Sequence, residues 1–162
     1  MPLTDQFKQS TLLLYLAIPR IFVGYHFIDV ALPKLTRGFT NGEDLPAQLL
    51  KSVAKDPFGW HRDFIQGFVI PHSGFFSYLV PYGELAIGIS LILGCLVRLS
   101  STFGAFHNLN ILLAIAIPGG GANVAINGTF IALHLVFVFA SAGRVLGLDA
   151  VFRKTYPQSW FF

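Results

Sequence analysis

The feature that most constrains this chain is the spacing of its apolar blocks. Four of them, at about 11–32, 75–97, 99–117 and 124–147, each come close to the ~20 residues a helix needs to cross a bilayer. Backbone polar groups in lipid must be satisfied within the segment, so such blocks are helices. Only Arg98 and the polar "SST" separate the second block from the third, and "PGGG" separates the third from the fourth. Short connections force antiparallel neighbours. The expected fold is all-α: an integral membrane four-helix up-down bundle, one membrane domain over residues 1–162, with a long amphipathic connection between helices 1 and 2. Only 12% of residues are charged, against roughly 25% in a soluble domain, which supports the membrane class.

Charge and cysteine content remove other classes. A net charge of +3 with no dense Lys/Arg run gives no footprint for nucleic acid. Cys95 is the single cysteine, so an intrachain disulfide and a dithiol relay are both excluded. Residues 1–10 are polar, but Arg20 interrupts the following apolar run and no small-residue cleavage site follows. An uncleaved first span is therefore expected.

The connection from about 33 to 74 predicts two surface helices, about 44–55 and 58–70. Leu45, Leu49, Leu50 and Val53 recur at helical spacing, with Asp44 as N-cap and Pro46 in the first turn. Trp60, Phe64, Ile65, Phe68 and Val69 fall on one side of the second. The pattern fits helices lying on the membrane surface or a cap over the bundle mouth. The C-terminal "YPQSWFF" reads as an interfacial aromatic anchor or a docking peptide for a partner. Cationic residues divide five and five between the two sides, and the longer connection counts for less. Both termini are therefore expected to be cytoplasmic, in a bacterial or archaeal cytoplasmic membrane.

Polar residues inside the spans are the candidates for function. A charge at mid-bilayer costs about 2.5–3.5 kcal/mol on insertion scales, so such residues are paired or used. Glu84 shares one stripe of span two with Gly88, Leu91, Cys95 and Arg98, all within about 40° of it. Gly88 lets another helix come close, which turns Glu84 towards protein, and Arg20 of span one is its expected partner. His26, Asp29, Tyr82 and Glu84 gather in one membrane half, joined by Asn110, with Asn123 and Asn127 just beyond. His107 and Asn108 lie in span three and His134 in span four. A titratable cluster of this kind suits proton exchange with a lipid-soluble quinone, with Glu84 and His26 as proton carriers and Arg20 orienting Glu84. Asp29, Tyr82, His107, Asn108 and Asn110 are the expected cofactor contacts. A buried ion pair and histidines hydrogen-bonded within the bundle are the structural alternatives. No Glu-x-x-His pair is present, and no haem, metal or nucleotide is expected.

The segments "RIFVGYHFIDVALPKL", "GELAIGISLILGCLVRLSS" and "GAFHNLNILLA", with the closing "AGRVLGLD", resemble the DoxX/DoxD family over about residues 12–150. The "NLN" points to the DoxD-like side. The resemblance implies a four-helix membrane protein and, on that side, the larger subunit of a thiosulfate:quinone oxidoreductase working with a smaller subunit. It directs attention to Arg20, Glu84, Arg98, Asn108 and Asn110. "DVALPKL" departs from the family's usual pattern before its lysine, which weakens transfer of a thiosulfate activity. Two readings follow. One is a redox subunit passing electrons from thiosulfate or another reduced donor to quinone. The other is a non-catalytic accessory or scaffold subunit binding lipid, quinone or pigment. Membrane lipids and at least one further protein subunit are the expected partners.

Overall fold

A computed structural model describes the backbone from residue 3 and side chains from residue 14. Among the described residues, seven α-helices are longer than three residues: α1 (Leu3–Thr36), α2 (Asp44–Ser52), α3 (Gly59–Phe64), α4 (Ser73–Leu93), α5 (Val97–Ile111), α6 (Ala122–Ala140) and α7 (Asp149–Thr155). A π-helical turn extends α3 over Ile65–Val69 and another extends α5 over Leu112–Ala116. No strand occurs among the described residues. Four helical stretches are long and apolar enough to cross a membrane: Leu14–Thr36, Ser73–Leu93, Val97–Gly119 and Ala122–Ala140.

The bundle is two intimate helix pairs, α1 against α4 and α5 against α6. The α1–α4 seam is set by glycines. A Cβ on Gly88 would lie 2.6 Å from Ile28 Cγ1 and 2.8 Å from the Gly24 carbonyl oxygen, so nothing larger fits without separating the helices. Val23, Phe27, Leu91, Val97 and Phe137 fill the centre. Large apolar side chains such as Ile18, Phe22 and Phe139 point outward, as lipid-facing positions do. Left-handed backbone at Gly94 and Leu96 turns α4 into α5, and the glycines at 120 and 121, both at positive φ, turn α5 into α6.

Span four is shorter than the sequence pattern predicts. It ends at Ala140 rather than near 147, because Ser141 takes a left-handed conformation (φ 52°) and caps the helix. Span one is longer, running through Pro33 to Thr36. Asp44, expected as an N-cap, is instead the first helical residue, with Glu43 before it.

The long connection packs on the bundle as a lid. Leu45, Leu49, Val53, Ile65 and Val69 turn inward and meet Phe76 and Val80 of α4 and Ala114 and Ile115 of the α5 extension. Its other face exposes Leu50, Phe58, Trp60, Phe64 and Phe68, so the lid has a protein side and an outer aromatic side. The predicted stripe of Trp60, Phe64 and Phe68 with Ile65 and Val69 splits in two. His61, Ile65 and Val69 follow one another at i,i+4 on the inner face and leave the aromatics outside.

Candidate functional site

The polar residues of the spans separate into two groups at opposite ends of the bundle, and this overturns the expected Arg20–Glu84 pair. The Arg20 guanidinium, fully buried, donates to the carbonyls of Ala142 (2.5 Å), Val145 (3.0 Å) and Leu146 (2.8 Å). It lies beside Gly94 at the C-terminal end of α4. Glu84 is ten residues earlier on that helix, about 15 Å along its axis. The antiparallel packing therefore sets the two charges at different depths. Arg20 fastens the segment after α6, and the Asp149 carboxylate completes the fastening. It accepts from the backbone N–H groups of Leu96 (2.6 Å) and Val97 (3.0 Å) at the start of α5. The chemistry here is structural: exposed helix ends are satisfied and a loop is held.

Glu84 belongs to the other end. Its Oε1 accepts from Lys34 Nζ and from His107 Nε2, the latter at 2.9 Å, while the side chain is only 2% exposed. Lys34 comes from the last turn of α1 and rests over the Phe39 ring, 5.8 Å from its centroid. Three helices thus contribute one charged cluster, with the carboxylate innermost and the two donors outside it. A buried carboxylate with an ammonium and an imidazole as partners satisfies the cost of its burial.

Above this cluster lies a cavity of about 250 Å³. Lys34, Glu84, His107 and Asn108 form its polar side with His26, Asn123 and Asn127; Phe27, Val30, Ile111, Ile126 and Phe130 form its apolar walls. The His26 ring lies 4.5 Å from that of Phe130. Two of the asparagines have fixed amides. Asn108 Nδ2 donates to the Gly104 carbonyl and Asn127 Nδ2 to that of Asn123, so each keeps its Oδ1 as a free acceptor. Behind the cavity, His134 is fully buried with neither ring nitrogen hydrogen-bonded; it packs edge-on to Phe27 and occupies the notch left by Gly104.

Of the residues singled out from sequence, the cavity brings together Glu84, His26, His107 and Asn108. Arg20 is at the far end. Tyr82 is 55% exposed on the outer face of α4, Asp29 is exposed outside the cavity lining, and Asn110 lies on another face of α5, against the lid. Lys34 is the residue sequence reasoning misses, because an expected end at 32 leaves it in the connection. The signal was present: Phe27, Val30 and Lys34 recur at i, i+3, i+7 on one helical stripe.

The comparisons with known proteins bear on this geometry. No curated protein and no solved structure matches the chain. The DoxX family model matches residues 15–117, from the first described turns of span one through α4 and α5, and so covers every charged member of the cluster. With its four apolar spans, this chain is an integral membrane protein and belongs to the DoxX family.

Proposed function

We propose that this chain is the quinone-binding subunit of a membrane oxidoreductase, and that the cavity beside Glu84 receives the quinone head group. The observation that carries this reading is the Lys34–Glu84–His107 cluster on the polar side of a cavity whose remaining walls are Phe27, Val30, Ile111, Ile126 and Phe130. A volume of about 250 Å³ is below the roughly 300–1,000 Å³ of sites that enclose a drug-sized ligand. It suits a ring whose tail stays in lipid. When bound, the quinone supplies two-electron chemistry, taking up two electrons and two protons to become the quinol.

This chain's residues supply position and protons. Lys34 and His107 both bond Glu84 Oε1 and line the cavity with it; Glu84 is their positioning residue and counter-charge, and the two donors meet the ligand. His26, its ring tilted against that of Phe130, is a second proton-exchanging group at the wall. The one ammonium here is already neutralised by Glu84. A dianion such as thiosulfate would find no excess positive charge, so the reduced sulfur donor is assigned to a partner subunit. With both termini cytoplasmic in a bacterial or archaeal membrane, the cavity opens in the outer half of the bilayer.

The accessory or scaffold reading draws on a different feature, the exposed Phe58, Trp60, Phe64 and Phe68 of the lid. One experiment separates the two. The native complex is isolated in mild detergent, its subunits identified by mass, its lipid extract assayed for quinone, and donor-dependent quinone reduction measured. Copurified quinone and activity lost in Lys34→Met and His107→Gln support the redox subunit. Activity that survives both substitutions makes the chain a scaffold.

A further inference from the structure

Among the described residues, one side-chain hydrogen bond joins the lid to α5 beside an apolar interface. Asp56 and His61 are 2% and 1% exposed, and Asp56 Oδ2 pairs with His61 Nδ1. The other ring nitrogen, Nε2, faces Asn110 Oδ1 of α5 at 3.3 Å. The Asn110 amide cannot be reversed without loss, because its Nδ2 donates to the Phe106 carbonyl at 2.8 Å. Both nitrogens of the His61 ring therefore face acceptors. A neutral imidazole has one N–H and can satisfy one of them. The arrangement is satisfied when the Asp56–His61 unit holds one proton more than a carboxylate beside a neutral imidazole. The unit is then neutral overall, and a hydrogen points at Asn110. Without that proton a net negative charge is buried and two lone pairs oppose each other across the lid–bundle interface.

We propose that Asp56, His61 and Asn110 form a proton-dependent latch that holds the lid on α5. The surroundings leave the proton balance to these groups. From the lid, Trp60 and Phe64 pack on the ring, and from α5 the neutral Asn110 meets it. The neighbouring charges Arg62 and Asp63 lie half-buried and exposed, and neither is ion-paired with His61. The docked lid binds one proton that the undocked lid gives up, so docking weakens as pH rises. With the lid docked, His61 and Asn110 line a groove of about 270 Å³ together with Trp60, Phe64, Phe106 and Leu109. This inference is independent of the redox reading.

The test uses the full chain in detergent micelles, with Trp160→Phe so that Trp60 is the single tryptophan. Trp60 lies 5.3 Å from the His61 ring and reports its charge through fluorescence. Amide exchange over residues 56–69, divided by the intrinsic rate at each pH, reports docking. As pH rises from about 5 to about 8, the interval in which histidines change charge, lid protection should fall about tenfold or more, the worth of one charge-assisted hydrogen bond. The Trp60 signal should change over the same interval. Asn110→Asp puts a carboxylate opposite Nε2 and should move both transitions to higher pH, leaving Asp56 and His61 untouched. His61→Phe should abolish the pH dependence. Protection that stays flat with pH in the wild type, or a transition unmoved by Asn110→Asp, overturns the latch.

Discussion

Replacing Arg20 tests the division of the bundle into a structural end and a functional end. Its guanidinium makes three hydrogen bonds to backbone carbonyls after α6, and each charge-assisted bond contributes about 1.5–3 kcal/mol. These do not add, since one buried group makes all three and its desolvation offsets part of the gain. Arg20→Lys retains a charge but lacks the planar fork, so two carbonyls lose their donor. The expected destabilisation is about 3–5 kcal/mol, as when one partner of a buried charged contact is removed. The assay is reversible unfolding in mixed detergent micelles. Arg20→Lys and Glu84→Gln are measured singly and together. Because the two residues share no partner, their effects should add within about 0.5 kcal/mol, and quinone binding should survive Arg20→Lys in whatever fraction remains folded. A coupling above about 1 kcal/mol between Arg20 and Glu84 would show that they act on each other, and the assignment of Arg20 to the far end would fail.

Other consequences follow from single contacts. Gly104→Ala would place a Cβ 2.3 Å from a ring atom of His134; melting should show a loss of about 1–3 kcal/mol from overpacking, recovered in part by adding His134→Ala. At the α1–α4 crossing, Gly88→Leu should force the helices apart, read in melting as a loss of at least about 1–3 kcal/mol from overpacking. Burial pushes the Asp149 carboxyl up from its ordinary value, against the pull of the Val97 and Leu96 N–H groups and of Arg20 and Arg144. An acid that binds its proton more tightly when folded stabilises most below its unfolded pKa. That contribution is lost as pH rises through the folded value, so Asp149→Asn should flatten this part of a stability–pH profile. A profile unchanged by the substitution would refute the assignment. Burial also raises the Cys95 thiol, and maleimide labelling at neutral pH should be slower than for a free cysteine.

The number of spans, their approximate bounds and the amphipathic character of the long connection were legible in the chain, because block length and helical periodicity are local properties; that the connection packs as a lid was one of two readings. So was the close approach at Gly88, since a small residue on the stripe of a buried carboxylate has few other uses. The gathering of His26 and Glu84 at one end followed from span direction, whereas Asp29, Tyr82 and Asn110, expected beside them, lie outside the cavity and His107 joins it. What each charge touches was not legible. Arg20 and Glu84 look complementary in sequence, and the expected pairing failed on depth: antiparallel packing set by Gly24 and Gly88 carries them about 15 Å apart along α4. Lys34 was not placed beside Glu84 because four further residues of helix moved it from the connection into the bundle.

The lid shows the same division. Its two helices were readable, yet the spacing puts Trp60, Phe64 and Phe68 on one side with Ile65 and Val69, and the structure separates them and sets His61 on the inner face with Asp56 and Asn110. Hydrophobic periodicity reports which residues share a side of a helix. It does not say which side is buried when both are apolar and the outer solvent is lipid. By itself, then, the sequence determined a four-span helical membrane bundle with a polar end. Only tertiary structure decided that Lys34 and His107, rather than Arg20, hold Glu84. Charge partners are chosen by depth and helix rotation, and those are set where distant segments pack.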